Sequence, residues 1–244
     1  LPLLILVCFM LASCTATKPW YGNEMPRPYQ QQAYDRKPDY RLVLVGDQGE
    51  PQLDGKDPVL EMLSHSVNQA RNGDVVFLGD NIYRSGMETA PTEARELSER
   101  KISKTLSALH GFDGNVFFIA GNHDWWLGHD NLVAQEEFLA SYPDEVNIRF
   151  LPKAGCPGPE ATEINEQMLL VLMDSEWYFQ KDNHAISKKA DCQSTSWQNA
   201  MNDLRNIAET NIDKFLILAI HHPLHTQGNH GGHYNWKQHL FPLT

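Results

Sequence analysis

Five short apolar runs punctuate the chain, at Tyr40–Val45, Val75–Leu78, Val116–Ile119, Met168–Met173 and Phe215–Ile220. None alternates cleanly with polar residues, so each reads as a strand buried on both faces. Between them the spacing becomes helical. Leu60, Leu63, Val67 and Ala70 form one face of a helix that opens at Asp57-Pro58, an acidic cap followed by proline, and that Asn72-Gly73 closes. Ala94, Leu97, Ile102, Leu106 and Leu109 make the apolar side of a second helix. Trp197, Met201, Leu204 and Ala208 make the inner face of a third, within Ser194–Thr210. Buried strands separated by helices predict an α/β fold with a largely parallel sheet covered on both faces. Neither an internal repeat nor a second-domain boundary is visible.

The two ends of the pattern differ from its middle. Leu1–Ala12 is apolar but about 12 residues long, well short of the roughly 20 that span a bilayer. It reads as the core of an export signal. Leu11-Ala12-Ser13-Cys14 follows, a run that resembles the lipobox of bacterial lipoproteins, although a plain signal with an incidental Cys14 has the same pattern. Residues 15–38 are rich in proline, glutamine and other polar residues and read as a flexible tether. The expected layout is therefore a signal with lipobox over 1–14, a tether over 15–38, and a catalytic domain over 39–244. That predicts a lipoprotein anchored in a bacterial cell envelope, in the periplasm or on the outer membrane.

At 244 residues, 41% apolar and 21% charged, the chain suits one large domain with a sizeable core. The formal net charge of −11 argues against a nucleic-acid partner, which needs a basic face. It leaves a phosphorylated substrate open, because bound cations would invert the local field. Cys156 and Cys192 lie in polar loops; in an oxidising compartment they either pair or remain two surface thiols.

The chemistry lies where the apolar runs stop. Gly46-Asp47-Gln48-Gly49, Gly79-Asp80-Asn81-Ile82-Tyr83, Gly121-Asn122-His123-Asp124 and His221-His222-Pro223 each put oxygen or nitrogen donors on a turn just past a strand. Ligands of open α/β sheets bind in that crevice. Asp47 and Asp80 on neighbouring strand ends would repel, and a cation relieves the repulsion. As a phenolate, Tyr83 would call for a strong Lewis acid such as a trivalent metal. Asn122 offers a neutral carbonyl oxygen. His123 and Asp124 form a candidate His–carboxylate pair that orients the imidazole. Two metal ions about 4 Å apart at such a site would clamp an in-line displacement at phosphorus.

In this order the four runs resemble the calcineurin-like metallophosphoesterase superfamily, most closely its purple acid phosphatase branch of small, tartrate-resistant-type enzymes. The resemblance covers residue 40 to the end. Gly49 stands where many members carry a metal-binding His, and Tyr83 where the purple enzymes place a tyrosinate. The resemblance implies an αββα sandwich of two mixed sheets flanked by helices. It implies Asp47 and Tyr83 on a ferric ion, Asp80 bridging, and Asn122 and His221 on a divalent iron, zinc or manganese. His221 is preferred to His222 because the family's ligand precedes the residue before the proline. His123 matches the family's second-shell histidine, and His230, before Gly231, matches one that contacts substrate phosphate. Trp197 and the strand ending at Asp174 suit the family layout. The implied activity is hydrolysis of phosphate monoesters by in-line attack of a metal-bound hydroxide, with His123 and His230 stabilising charge and aiding the leaving group.

The family's closing Gly-His-x-His run, one histidine per metal, falls by its spacing near position 256, whereas this sequence stops at Thr244. The expectation is a fold incomplete at its C-terminus. His225, His233 and His239 read as ordinary surface histidines. Two alternatives remain at this stage: a phosphodiesterase or nucleotide hydrolase on the same site, and a lipid-anchored, non-catalytic scaffold on a degenerate phosphoesterase fold.

Overall fold

The computed structural model describes residues 38–69, 72–142 and 146–224. The leader, nearly all of the tether, Ala70, His225, His230, His233 and His239 lie outside the described residues. In chain order the elements are β1 (Tyr40–Val45), α1 (Pro58–Val67), β2 (Asn72–Phe77), α2 (Glu93–Ser107), β3 (Asn115–Phe118), α3 (His129–Ala140), β4 (Asn147–Phe150), β5 (Glu160–Asn165), β6 (Met168–Leu172), α4 (Asn183–Lys189), α5 (Trp197–Thr210) and β7 (Phe215–Ala219). Single turns of 3₁₀ helix sit at Lys153–Gly155 and Glu176–Phe179. All of these elements belong to one compact unit, residues 37–222.

The architecture is α/β with two sheets flanked by helices, as expected, but among the described residues only one of the two sheets is mixed. One sheet has the order β1-β2-β3-β4 and is parallel throughout; the other, β5-β6-β7, pairs β5 antiparallel and β7 parallel to β6. A parallel sheet laid down in sequential order by crossovers of one hand puts all its helices on one face. The cores show this division. Val75, Phe77, Val116, Phe118 and Phe150 pack with Leu60 and Leu63 of α1, Ile102 and Leu106 of α2, and Leu132 and Leu139 of α3. The intervening residues Val76 and Phe117 point the other way and pack with Leu170, Leu172 and Ala219 of the second sheet. Both faces of β2 and β3 are therefore dry, which is why their sequences do not alternate.

Several elements depart from the pattern. Asn72-Gly73 opens β2 rather than closing α1. On α2, Ala94 and Leu97 are exposed, and Ser98 and Lys101 take the buried positions. Both are polar groups with partners: Ser98 Oγ–H lies 2.9 Å from Ala94 O, and Lys101 Nζ donates to Glu50 and to the Tyr83 carbonyl. On α5, Trp197 is 56% exposed and Ala208 is exposed, while Ala200 is buried. In β7, Phe215 is exposed and only Ala219 is fully buried. α3, β4, β5 and α4 were not announced by the apolar runs. Among the described residues no helix is long and apolar enough to cross a membrane.

Cys156 and Cys192 are bonded, with Cα atoms 5.6 Å apart, joining the loop before β5 to the segment between α4 and α5. The bond closes a loop 36 residues long, which by chain entropy stabilises the fold by about 4 kcal/mol. Reduction, or a Cys156→Ser/Cys192→Ser pair, is expected to lower Tm by roughly 8–16 °C in a thermal melt. An unchanged Tm would show that this bond does not constrain the unfolded chain.

Candidate metal centre

The exits of β1, β2, β3 and β7 form one cluster. The β1 and β2 exits stay paired beyond their strands, through Leu78 N–H to Val45 O at 2.7 Å and Asp47 N–H to Gly79 O at 3.2 Å. Asp47 and Asp80 both take left-handed backbone conformations, φ 58° and 54°, which a non-glycine residue adopts at a cost. The β3 exit presses so closely that a Cβ on Gly121 would lie 2.3 Å from Asp80 Oδ1, and one on Gly79 would lie 2.7 Å from Gly121 N. Glycine is required there because no side chain fits between the two turns.

Two groups of donors meet on the buried carboxylate of Asp80. In the first, Tyr83 Oη lies 2.9 Å from Asp47 Oδ1 and 3.0 Å from Asp80 Oδ2. One phenol proton faces two carboxylates. Burial, and then the hydrogen bonds and charges of the two aspartates, push the Tyr83 phenol well above its ordinary range. Without a cation, Tyr83 keeps its proton. In the second group, His221 Nε2 lies 3.1 Å from Asn122 Oδ1 and 3.5 Å from Asp80 Oδ1. The other ring nitrogen, Nδ1, sits 2.9 Å from Leu78 O, which only accepts, so Nδ1 carries a proton. Nε2 faces two oxygens, and a cation held between them would turn that opposition into coordination.

This donor set fits two hard or borderline ions that share Asp80. Among the described residues no three of His, Cys, Asp and Glu form a metal cluster by themselves, and the set here includes the phenol of Tyr83 and the amide of Asn122. The structure thus brings together Asp47, Asp80, Tyr83, Asn122 and His221. His222 turns away, with Nδ1 2.8 Å from Ser175 Oγ and Nε2 3.6 Å from Glu176.

His123 borders the same cluster. Its backbone N–H donates to Asp80 Oδ1 at 2.9 Å, its Nδ1 meets the carbonyl of Arg84, and its Nε2 lies 3.9 Å from Asp80 Oδ2. The ring lines a cavity of about 740 Å³ with Glu50, Tyr83, Arg84 and Trp126.

The expected His123–Asp124 pair is not formed. Asp124 is fully buried and accepts from Gly121 N–H at 2.8 Å, Asn81 Nδ2 at 3.0 Å, Asn81 N–H at 3.1 Å and Gln135 Nε2 at 3.1 Å. It clamps the β2 and β3 exits together. Burial, reinforced by the Asp80 charge, pushes its carboxyl up to about 6. Its role is architectural, because every polar contact it makes faces inward.

Two supports escaped the motif reading. Lys101 Nζ, on a side chain only 6% exposed, bonds Tyr83 O and Glu50 Oε2, both at 2.6 Å, and so fixes the Tyr83 backbone. Trp125 Nε1–H donates to Asp174 Oδ2 at 2.7 Å, tying the β3 exit to the β6 exit. Neither residue lies in a strand-exit motif as a donor, and only the buried polar contacts reveal them.

The calcineurin-like phosphoesterase family matches residues 40–242, and the chain belongs to that family. Its members are generally metal-dependent phosphoester hydrolases that bind two metal ions. No curated protein matches the chain.

Burial raises the Asp174 carboxyl from an ordinary 3.8 to about 7, overcoming the N–H groups of Trp125 and Trp177. A group with a raised pKa holds its proton more tightly folded than unfolded. Stability attached to it is therefore full below about pH 4 and is lost as pH climbs to about 7. Asp174→Asn removes this slope. Urea midpoints measured across that range are expected to show the wild type losing ground to the variant as pH rises. A difference independent of pH would contradict the assignment.

Proposed function

We propose that the chain hydrolyses phosphate monoesters at a dinuclear metal centre of the purple acid phosphatase kind. Asp47 and Tyr83 would hold a ferric ion, Asn122 and His221 a divalent iron, zinc or manganese, and Asp80 would serve both. The observation that carries this reading is the Tyr83 hydroxyl lodged between the carboxylates of Asp47 and Asp80. A phenol in that position loses its proton only to a strong Lewis acid.

Two such ions would neutralise the phosphate and supply an ionised nucleophile near neutral pH. The chain's own groups do the rest. The His123 N–H holds Asp80 in place, and Lys101 holds the Tyr83 backbone. With Nδ1 committed to the Arg84 carbonyl, His123 Nε2 is left to face the cleft, where a doubly protonated ring would pass its Nε2 proton to the departing oxygen and be left neutral. His230, outside the described residues, is proposed to contact the phosphate. The leader and its Cys14 support an exported, lipid-anchored form in a bacterial cell envelope, and the Cys156–Cys192 bond accords with an oxidising compartment.

Asp80→Asn is expected to lower kcat/KM for an aryl phosphate at least about a hundredfold, because both ions share that carboxylate. Turnover near that of the wild type would sink the dinuclear scheme. Separately, the loaded protein is expected to show a visible tyrosinate-to-iron charge-transfer band that Tyr83→Phe abolishes. A band that survives the substitution would remove Tyr83 from the metal.

A further inference from the structure

Neighbouring tryptophans on the β3 exit have opposite environments. Trp125 is 2% exposed and anchored through its indole N–H to Asp174. Trp126 is 67% exposed, and its indole makes no hydrogen bond among the described residues. Nothing in the core accounts for the second indole.

Its placement follows from the local turn. Trp126 N–H bonds His123 O at 3.3 Å, so residues three apart share one side of the turn. The two rings lie nearly parallel, 7° between planes and 5.6 Å between centroids. The imidazole therefore stacks against one face of the indole and leaves the other face exposed, in the wall of the same cavity that Tyr83 and Arg84 line. The charges on that wall are unequal. The Glu50 carboxylate is neutralised by Lys101, whereas the exposed Arg84 guanidinium has no hydrogen bond or ion pair among the described residues. The cavity thus offers a flat apolar surface, a free cation and the reactive cluster side by side. A ligand that uses all three is an anion carrying a planar ring.

We infer that Trp126 is a stacking platform that selects phosphoesters with an aromatic group on the leaving side, whether a nucleobase or a phenol, over aliphatic esters. The inference rests on the phosphoesterase reading above and adds a substrate class to it. A base or phenol ring laid on an exposed indole gains dispersion and sheds water at little entropic cost, because the indole is already held by its turn. His123 and Arg84, which line the same cavity, would then face the ester group.

The test separates this inference from the chemistry on which it rests. Phenylphosphonate and methylphosphonate do not turn over, and equilibrium dialysis against the metal-loaded full chain reads their binding alone. The wild type is expected to prefer the phenyl compound about tenfold, Trp126→Ala to lose that preference, and Trp126→Phe to keep most of it. In kinetics, Trp126→Ala is expected to raise KM about tenfold for p-nitrophenyl phosphate, for a nucleoside monophosphate, or for both, and to leave glycerol phosphate within about twofold. An effect confined to one aromatic ester identifies the ring that the platform takes. A wild type without phenyl preference, a preference that survives Trp126→Ala, or an equal loss on glycerol phosphate would each overturn the platform. A phenyl preference that depends on Trp126, in a protein that hydrolyses none of the esters, would leave the platform standing and reject the hydrolase reading instead.

Discussion

Asp80 is a carboxylate kept almost out of water, 3% exposed, and the rest of this end of the molecule is arranged around it. Burying a charge without partners costs several kcal/mol, so the number of its donors is informative. Asp124 shows what a purely structural buried carboxylate has here: donors from Gly121, Asn81 and Gln135 that together satisfy both oxygens. Asp80 receives one backbone N–H, from His123, and a share of one phenol proton, and its Oδ1 also faces His221. Its backbone is held in a left-handed conformation that costs of order 1–3 kcal/mol. A strained carboxylate with few donors, beside a better-satisfied one, fits a place where a cation would complete the balance.

That contrast explains what the amino-acid pattern reveals and what it hides. The central strands β2 and β3 of the parallel sheet are legible because burial on both faces forces apolar runs, as at Val75–Phe77 and Val116–Phe118. Edge strands carry no such requirement. β4 and β5, with Asn147, Arg149, Glu160 and Glu163, need only one apolar side, and their sequences look like loops. The face of α2 misleads for a related reason. Lys101 is buried because two oxygens meet its ammonium, and apolar spacing does not register a partnered charge.

The candidate ligands were legible for a different reason: each follows directly on a strand, so a linear motif reports a position in space. What failed was the inference from adjacency to pairing. His123 and Asp124 are neighbours in the chain, yet successive residues in a tight turn send their side chains in different directions. Asp124 goes into the protein and His123 toward the cleft. The same rule divides Trp125 from Trp126 one step later, so a four-residue turn supplies two structural anchors and two cleft-facing rings. Composition does not decide which is which; burial does.

The site also straddles the two sheets, and this couples its geometry to their packing. His221 arrives from β7 of the second sheet but is positioned by Leu78 O at the end of β2 in the first. Trp125 leaves β3 of the first sheet and is held by Asp174 at the end of β6 in the second. These two polar ties run in opposite directions across an interface otherwise filled by Val76, Phe117, Leu170 and Leu172. Apolar contact sets the spacing of the sheets but not their slide, since dispersion is nondirectional. The hydrogen bonds are directional, and between them they fix the slide. His221 Nε2 therefore stays opposite Asn122 and Asp80 only while both sheets keep one register, and the core and the donor set are specified together.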